Sequence, residues 1–175
     1  MLKTSKWLLL MLSAVAVAEP VAPDGPYLAT DEYLTRSFPD SRPQSNTLWV
    51  SGDLRQSIEQ ALGHRFAGLR VQYWFDGETS AWVLDEIGKE LPITIGVTIK
   101  DNSIVNVRVL EFRESRGWEV KYPFFTDQFR AASLKADGKL SRKIDGITGA
   151  TLSVGAVKRI ARVALIFHEH VKQQG

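Results

Sequence analysis

The chain of 175 residues contains no cysteine. That excludes disulfides, thiolate metal sites, iron–sulfur clusters and covalently attached c-type haem. It also has no surplus charge outside its first 18 residues. Lys3 and Lys6 lie in that segment with no acid beside them, so removing it lowers Lys plus Arg from 22 to 20, against 20 Asp plus Glu. A formally neutral chain without a basic tract is a poor nucleic-acid binder. There is one long apolar run, Trp7 to Val17, too short for a comfortable bilayer crossing. With no second candidate span, the chain does not read as an integral ion-pump subunit. It has no internal repeat and no low-complexity tract.

The apolar run follows a basic start and precedes Ala16-Val17-Ala18, a small-x-small cleavage pattern, with Glu19-Pro20 after it. Residues 1–18 therefore read as a secretory signal peptide. The alternative is an uncleaved anchor at the outer face of the inner membrane. Either way the expected location is periplasmic. About 157 residues remain, enough for one domain with a sizeable core.

Residues 19–47 read as a leader or linker with one helical turn around Asp31–Arg36, and residues 48–175 as the domain. Asp53–Leu62 has Leu54, Ile58, Ala61 and Leu62 at helical spacing, and Gly63 fits its end. Leu69–Phe75 alternates, Asp76-Gly77 is a hairpin signal, and Ser80–Leu84 is the returning strand. Ile93, Ile95, Val97 and Ile99 share one face of a strand from Pro92. Lys100–Ser103 turns the chain, and Ile104, Val105, Val107 and Val109 mark the next strand. A short helix is expected over 123–130, a loop over 136–139 and a long helix over 153–171. Val157, Ile160, Ala161, Ala164, Phe167 and Val171 form the last helix's apolar stripe. The expected fold class is α+β, a mostly antiparallel sheet with packed helices. Trp82 and Leu84 are expected in its core.

The segment Ile144-Asp-Gly-Ile-Thr-Gly-Ala-Thr-Leu-Ser-Val-Gly-Ala156 precedes the last helix. Read plainly, Asp145-Gly146 turns, Gly149 takes positive φ, and Thr151 or Ser153 caps the helix. But Gly149 and Ala150 strip bulk from around Thr151, and a hydroxyl at a helix N-terminus lies where free amides favour a phosphate. The segment is not a P-loop, because Lys158 follows Thr151 by seven residues. It is not the dinucleotide fingerprint, since its glycines are wrongly spaced. No Ser-His-Asp arrangement is evident, and His64 lies on an expected turn with no evident partner. His168 and His170, two apart on a helix, do not share a face, so a solvated helix end is expected and no metal site.

Asp145-Gly146-Ile147-Thr148-Gly149-Ala150-Thr151 resembles the flavinylation motif of FMN-binding domains. These include the C subunit of the sodium-pumping NADH:quinone oxidoreductase and the G subunit of the Rnf-type complex. The resemblance runs upstream through the hairpin Ile93–Val109 and Glu111-Phe-Arg-Glu-Ser-Arg-Gly117, which resembles a Glu-Thr-x-Gly segment. Ser115 stands where Thr is usual and Arg116 where proline is common. Phe125–Phe129 resembles a Phe-x-x-Gln-Phe stretch.

The resemblance implies FMN attached by a phosphoester to Thr151. A magnesium-dependent flavin transferase would install it from FAD outside the cytoplasmic membrane. Around Thr151 the implied cofactor-binding residues are Asp145, Thr148, Gly149, Ala150, Leu152 and Ser153, with Glu114 and Ser115 beside the flavin. Asp145 would hold the loop or help the transferase with the hydroxyl. Trp118 stacks on the ring or joins the core. Lys89 and Glu90 are a polar turn or a loop near the flavin, and Lys158 and Arg159 face the phosphate or solvent. The implied role is electron relay between membrane-bound or soluble redox proteins, with the cofactor doing the redox chemistry. The competing reading is a non-redox exported module whose Gly146–Thr151 loop caps a helix or holds a phosphate ligand.

Overall fold

The computed structural model describes residues 27–174; the expected signal peptide lies outside them. The elements run α1 (Thr30–Ser37), β1 (Gln44–Trp49), α2 (Gly52–Leu62), β2 (Arg70–Phe75), β3 (Thr79–Ile87), β4 (Pro92–Lys100) and β5 (Ser103–Phe112). A short α3 (Pro123–Thr126), flanked by 3-10 turns, and the long α4 (Thr151–Gln174) complete the chain. All five strands pair with their sequence neighbours, antiparallel, in the order β1-β2-β3-β4-β5. The fold is α+β, as expected.

Strand alternation sends Trp82, Leu84, Ile93, Ile95, Val97 and Ile99 to one face, where α4 and α2 cover them. Trp82 is wholly buried between Tyr73 and Phe167, with ring centroids 4.7 and 5.1 Å away. The β4–β5 turn places Asp101 and Asn102 at φ +51° and +54°, the paired left-handed geometry of a tight hairpin. Gly63 ends α2 at φ +79°.

Residues expected to be mostly leader form α1 and most of β1. Helix α1 lies on the second face of the sheet, over Ala81 and Leu110. Tyr33 is buried there, and its hydroxyl meets Thr98 Oγ1 at 2.9 Å. A Cβ on Gly96 would stand 2.7 Å from the Tyr33 ring, so glycine lets the ring lie against the strand. β4 is therefore covered on both faces. Among the described residues, no helix is long and apolar enough to cross a membrane.

His168 is a correction. It is wholly buried, not at a solvated helix end, while Glu169 is exposed and His170 meets Gln174 at 2.7 Å. Position 168 follows Ala164 by four and precedes Val171 by three, so it extends the apolar stripe. Trp82 Nε1 donates to Ser80 Oγ at 2.7 Å, and that hydroxyl lies 2.7 Å from His168 Nδ1. The indole can only donate, so Ser80 Oγ accepts from it; the direction of the Ser80–His168 bond is set by the imidazole tautomer, and among the described residues Nε2 has no partner.

Burial, reinforced by Lys172 and opposed by Asp101, pushes the His168 pKa down to about 4. Above its unfolded value near 6.5 both states are neutral at this site and stability is full. Between 6.5 and about 4 only the unfolded chain gains the proton, so stability falls as pH falls. Urea unfolding should show up to one extra proton of pH slope there, about 1.4 kcal/mol per pH unit, and His168→Gln should remove it. An unchanged slope in that variant refutes the assignment.

Candidate functional site

The chain enters α4 through a tight turn. Gly149 is at φ +82°, Ala150 N–H donates to the Ile147 carbonyl at 3.0 Å, and Val154 N–H to the Ala150 carbonyl at 2.9 Å. Thr151 is the first helical residue, so the amides of Thr151, Leu152 and Ser153 precede the first intrahelical bond. Thr151 and Leu152 are exposed, while Ala150 and Ser153 are buried. Among the described residues the Thr151 hydroxyl makes no hydrogen bond.

Two loops face this turn. After β5, Glu114–Gly117 passes against α4. Gly117 is at φ +83°, and a Cβ there would stand 2.6 Å from Ser153 Oγ and 3.3 Å from Ala150 Cβ. Between β3 and β4, the amides of Lys89, Glu90 and Leu91 all donate to Glu114 Oε1, at 2.5, 2.7 and 3.0 Å. Those donors, Leu91 foremost, hold the Glu114 carboxyl below the usual carboxylate range. Gly88 makes room for it: a Cβ there would lie 2.8 Å from Glu114 Oε1.

The three segments enclose an open cavity of about 580 Å³. Gly149–Ser153 forms one wall, Glu114–Arg116 the second, and Lys89 with Glu90 the third. Seven of the nine residues implied by the motif thus meet at one place. Asp145 and Thr148 do not line the cavity. They are exposed on the approach, where Asp145 N–H donates to Gln128 Oε1 at 2.7 Å and its carboxylate lies 3.3 Å from Lys143 Nζ. Gln128 is held between the buried rings of Phe125 and Phe129 in sequence, so the Phe-x-x-Gln-Phe stretch anchors the loop to the core.

Several expectations change. Lys158 and Arg159 are bonded to groups other than the first-turn amides. Lys158 Nζ donates to the Ile144 carbonyl at 2.6 Å. Arg159 Nε donates to Glu86 Oε1 at 2.8 Å, and Nη2 to the Ile87 carbonyl at 3.1 Å. They fasten the two ends of the site: the base of the 144–150 loop and the base of the 88–91 loop. His64 is not partnerless, because its Nε2 meets the buried Glu86 at 3.0 Å. The Arg65 carbonyl and then Glu86 raise its pKa. Trp118 is 45% exposed and stands edge-on to Tyr122, outside the core.

Sequence reasoning passed over Gly88, Gly117 and the Glu86–Arg159 pair. The two glycines were the visible signal. Gly149 and Gly117 should respond differently to alanine. Gly149→Ala meets nothing within 4 Å and costs backbone strain alone, about 1 kcal/mol. Gly117→Ala adds a steric clash with Ser153, for a total of about 2–4 kcal/mol. Urea midpoints of the two variants compare them directly, and equal losses would contradict the packing argument.

The site suits a phosphate group. It offers first-turn amides, cationic Arg116 at one wall, a free hydroxyl, and open space where Gly149 lacks a side chain, while Lys89 at another wall is paired with Glu90 at 3.1 Å. Residues 88–166 match the family model described as FMN-binding domain. No curated protein matches the chain. The matched region contains every wall of the cavity.

Proposed function

We propose, proceeding from the FMN-binding domain at residues 88–166, that the protein is an exported electron-transfer flavoprotein carrying FMN covalently on Thr151. The domain match makes it a flavin-binding module with FMN as cofactor. The finer reading rests on one observation: an exposed Thr151 hydroxyl without a protein partner, at the first turn of a 24-residue helix and in the wall of the cavity. The link is a phosphoester. Its Oγ1–P bond would form as the pyrophosphate bond of FAD breaks and AMP leaves, with a magnesium-dependent flavin transferase as catalyst.

Bound FMN supplies one- and two-electron redox chemistry. The chain's own residues bind and orient. First-turn amides of α4 offer donors to a phosphate. Arg116 adds positive charge at the rim, while Lys89 is paired with Glu90 at 3.1 Å. Glu114 acts through the backbone, holding the 88–91 loop against the cavity. The tether would keep flavin on a protein outside the cytoplasm, and redox proteins, membrane-bound or soluble, would be its partners.

Intact mass of the denatured protein tests the reading, after periplasmic co-expression with a flavin transferase. An added FMN phosphoryl group on the Thr151 peptide is expected. An unmodified mass from folded protein with active transferase would return the loop to helix capping.

A further inference from the structure

A second cavity, of about 520 Å³, lies on the other side of the β3–β4 loop. Ile87 and Pro92 line it, whereas Lys89 and Glu90, between them in sequence, line the Thr151 cavity. Its walls are mainly apolar: Leu62 and Phe66 from the α2 end, Val71 and Leu84 from the sheet, Ile160 and Val163 from α4. A cavity of this size and lining suits a molecule of about two fused rings.

Its charges are unbalanced. Glu86 is buried and already neutralised by Arg159. Asp85 accepts the Thr94 hydroxyl at 2.5 Å, and this one exposed carboxylate stands in the lining against two guanidiniums. Arg65 and Arg70 are both exposed and both line the cavity, and among the described residues neither side chain has a hydrogen-bond or ion-pair partner. His64, with its raised pKa, stands beside them. An apolar cleft rimmed by two unpaired guanidiniums is complementary to an apolar body with an anionic head.

We infer that this cleft binds a small amphipathic organic anion, with its apolar body between α4 and β2–β3 and its acid group at Arg65 and Arg70. The site is separate from the Thr151 cavity and does not depend on flavin attachment.

The test uses the full chain expressed without flavin transferase, so that its outcome is independent of the covalent reading. The probe is 8-anilinonaphthalene-1-sulfonate, titrated by calorimetry, with N-phenyl-1-naphthylamine as the uncharged analogue. One saturable site is expected, and the sulfonate should bind more tightly than the analogue. The double variant Arg65→Glu/Arg70→Glu should weaken sulfonate binding by about tenfold or more, since each exposed charge contact is worth about 1 kcal/mol at close range. It should leave the analogue's affinity unchanged. Arg142→Glu, on a different basic surface, should change neither. Absence of saturable binding overturns the inference. So does equal affinity for the two probes, or an Arg142→Glu effect as large as that of the double variant.

Discussion

Thr151→Ala should yield a folded protein with no covalent flavin. Thr151 is exposed and its hydroxyl bonds to nothing in the described protein, so its loss removes no native contact and stability should change by under about 1 kcal/mol. What goes is the one hydroxyl at the start of α4 that combines solvent access with a place in the cavity wall; the exposed Ser115 hydroxyl lies on the facing loop, away from the first-turn amides. The neighbouring hydroxyls are poorer substitutes for different reasons. Thr148 is exposed but lies outside the cavity lining, and Ser153 is buried with its Oγ pressed toward Gly117. Thr148→Ala and Ser153→Ala should therefore keep at least part of the flavin. Denatured mass and in-gel flavin fluorescence read all three variants on one scale. Full retention of flavin after unfolding in Thr151→Ala would falsify the covalent assignment.

Arg159→Ala carries the largest expected stability effect. Glu86 is only 5% exposed, and its carboxylate is held by Arg159 Nε and His64 Nε2. Removing the guanidinium strands a buried carboxylate with only the His64 imidazole left beside it. Breaking one partner of such a pair costs about 3–5 kcal/mol, far more than the intact pair contributes. The same change frees the Ile87 carbonyl, so amides of the 88–91 loop should exchange faster with solvent. Glu86→Gln combined with Arg159→Met should recover much of the loss, because no buried charge is then unpaired. Urea unfolding of the single and double variants forms the cycle. A loss below about 1 kcal/mol for Arg159→Ala would mean that water reaches Glu86 and the pair is not a structural one.

Both effects meet at the loop between β3 and β4. Glu114 holds its amides from the Thr151 side, and Arg159 holds its first carbonyl from the other. The cavity wall is thereby fixed by one acid and one base lying 45 positions apart in sequence. Neither was legible as a structural clamp beforehand. Glu114 read as a charged loop residue beside the flavin, and Arg159 as a base facing the phosphate or solvent.

Local chemistry was readable without coordinates wherever a short period or a special backbone angle carried it. The β4–β5 hairpin followed from alternation and a turn at Lys100–Ser103, the end of α2 from Gly63, and α4 from its repeating stripe. The turn into α4 was equally local, because Gly149, Ala150 and Thr151 are adjacent and their conformation is set within one turn. The stripe also takes in His168, expected from the sequence at a solvated helix end.

Tertiary structure decided what depends on partners distant in sequence. Tyr33 covers the second sheet face because Gly96 and Thr98, unremarkable in an alternating strand, leave it space and a hydroxyl. Arg159 pairs with Glu86 rather than facing the helix start because α4 crosses β3 at that level. Sequence alone determined β2 to β5, α2 and α4, and the run of small and hydroxyl residues at the last helix's start, since neighbours within a few residues set those; α1 and most of β1 it left in the leader. Packing determined which charges reach which loop, since that depends on how helices lie across the sheet, a geometry that no local pattern encodes.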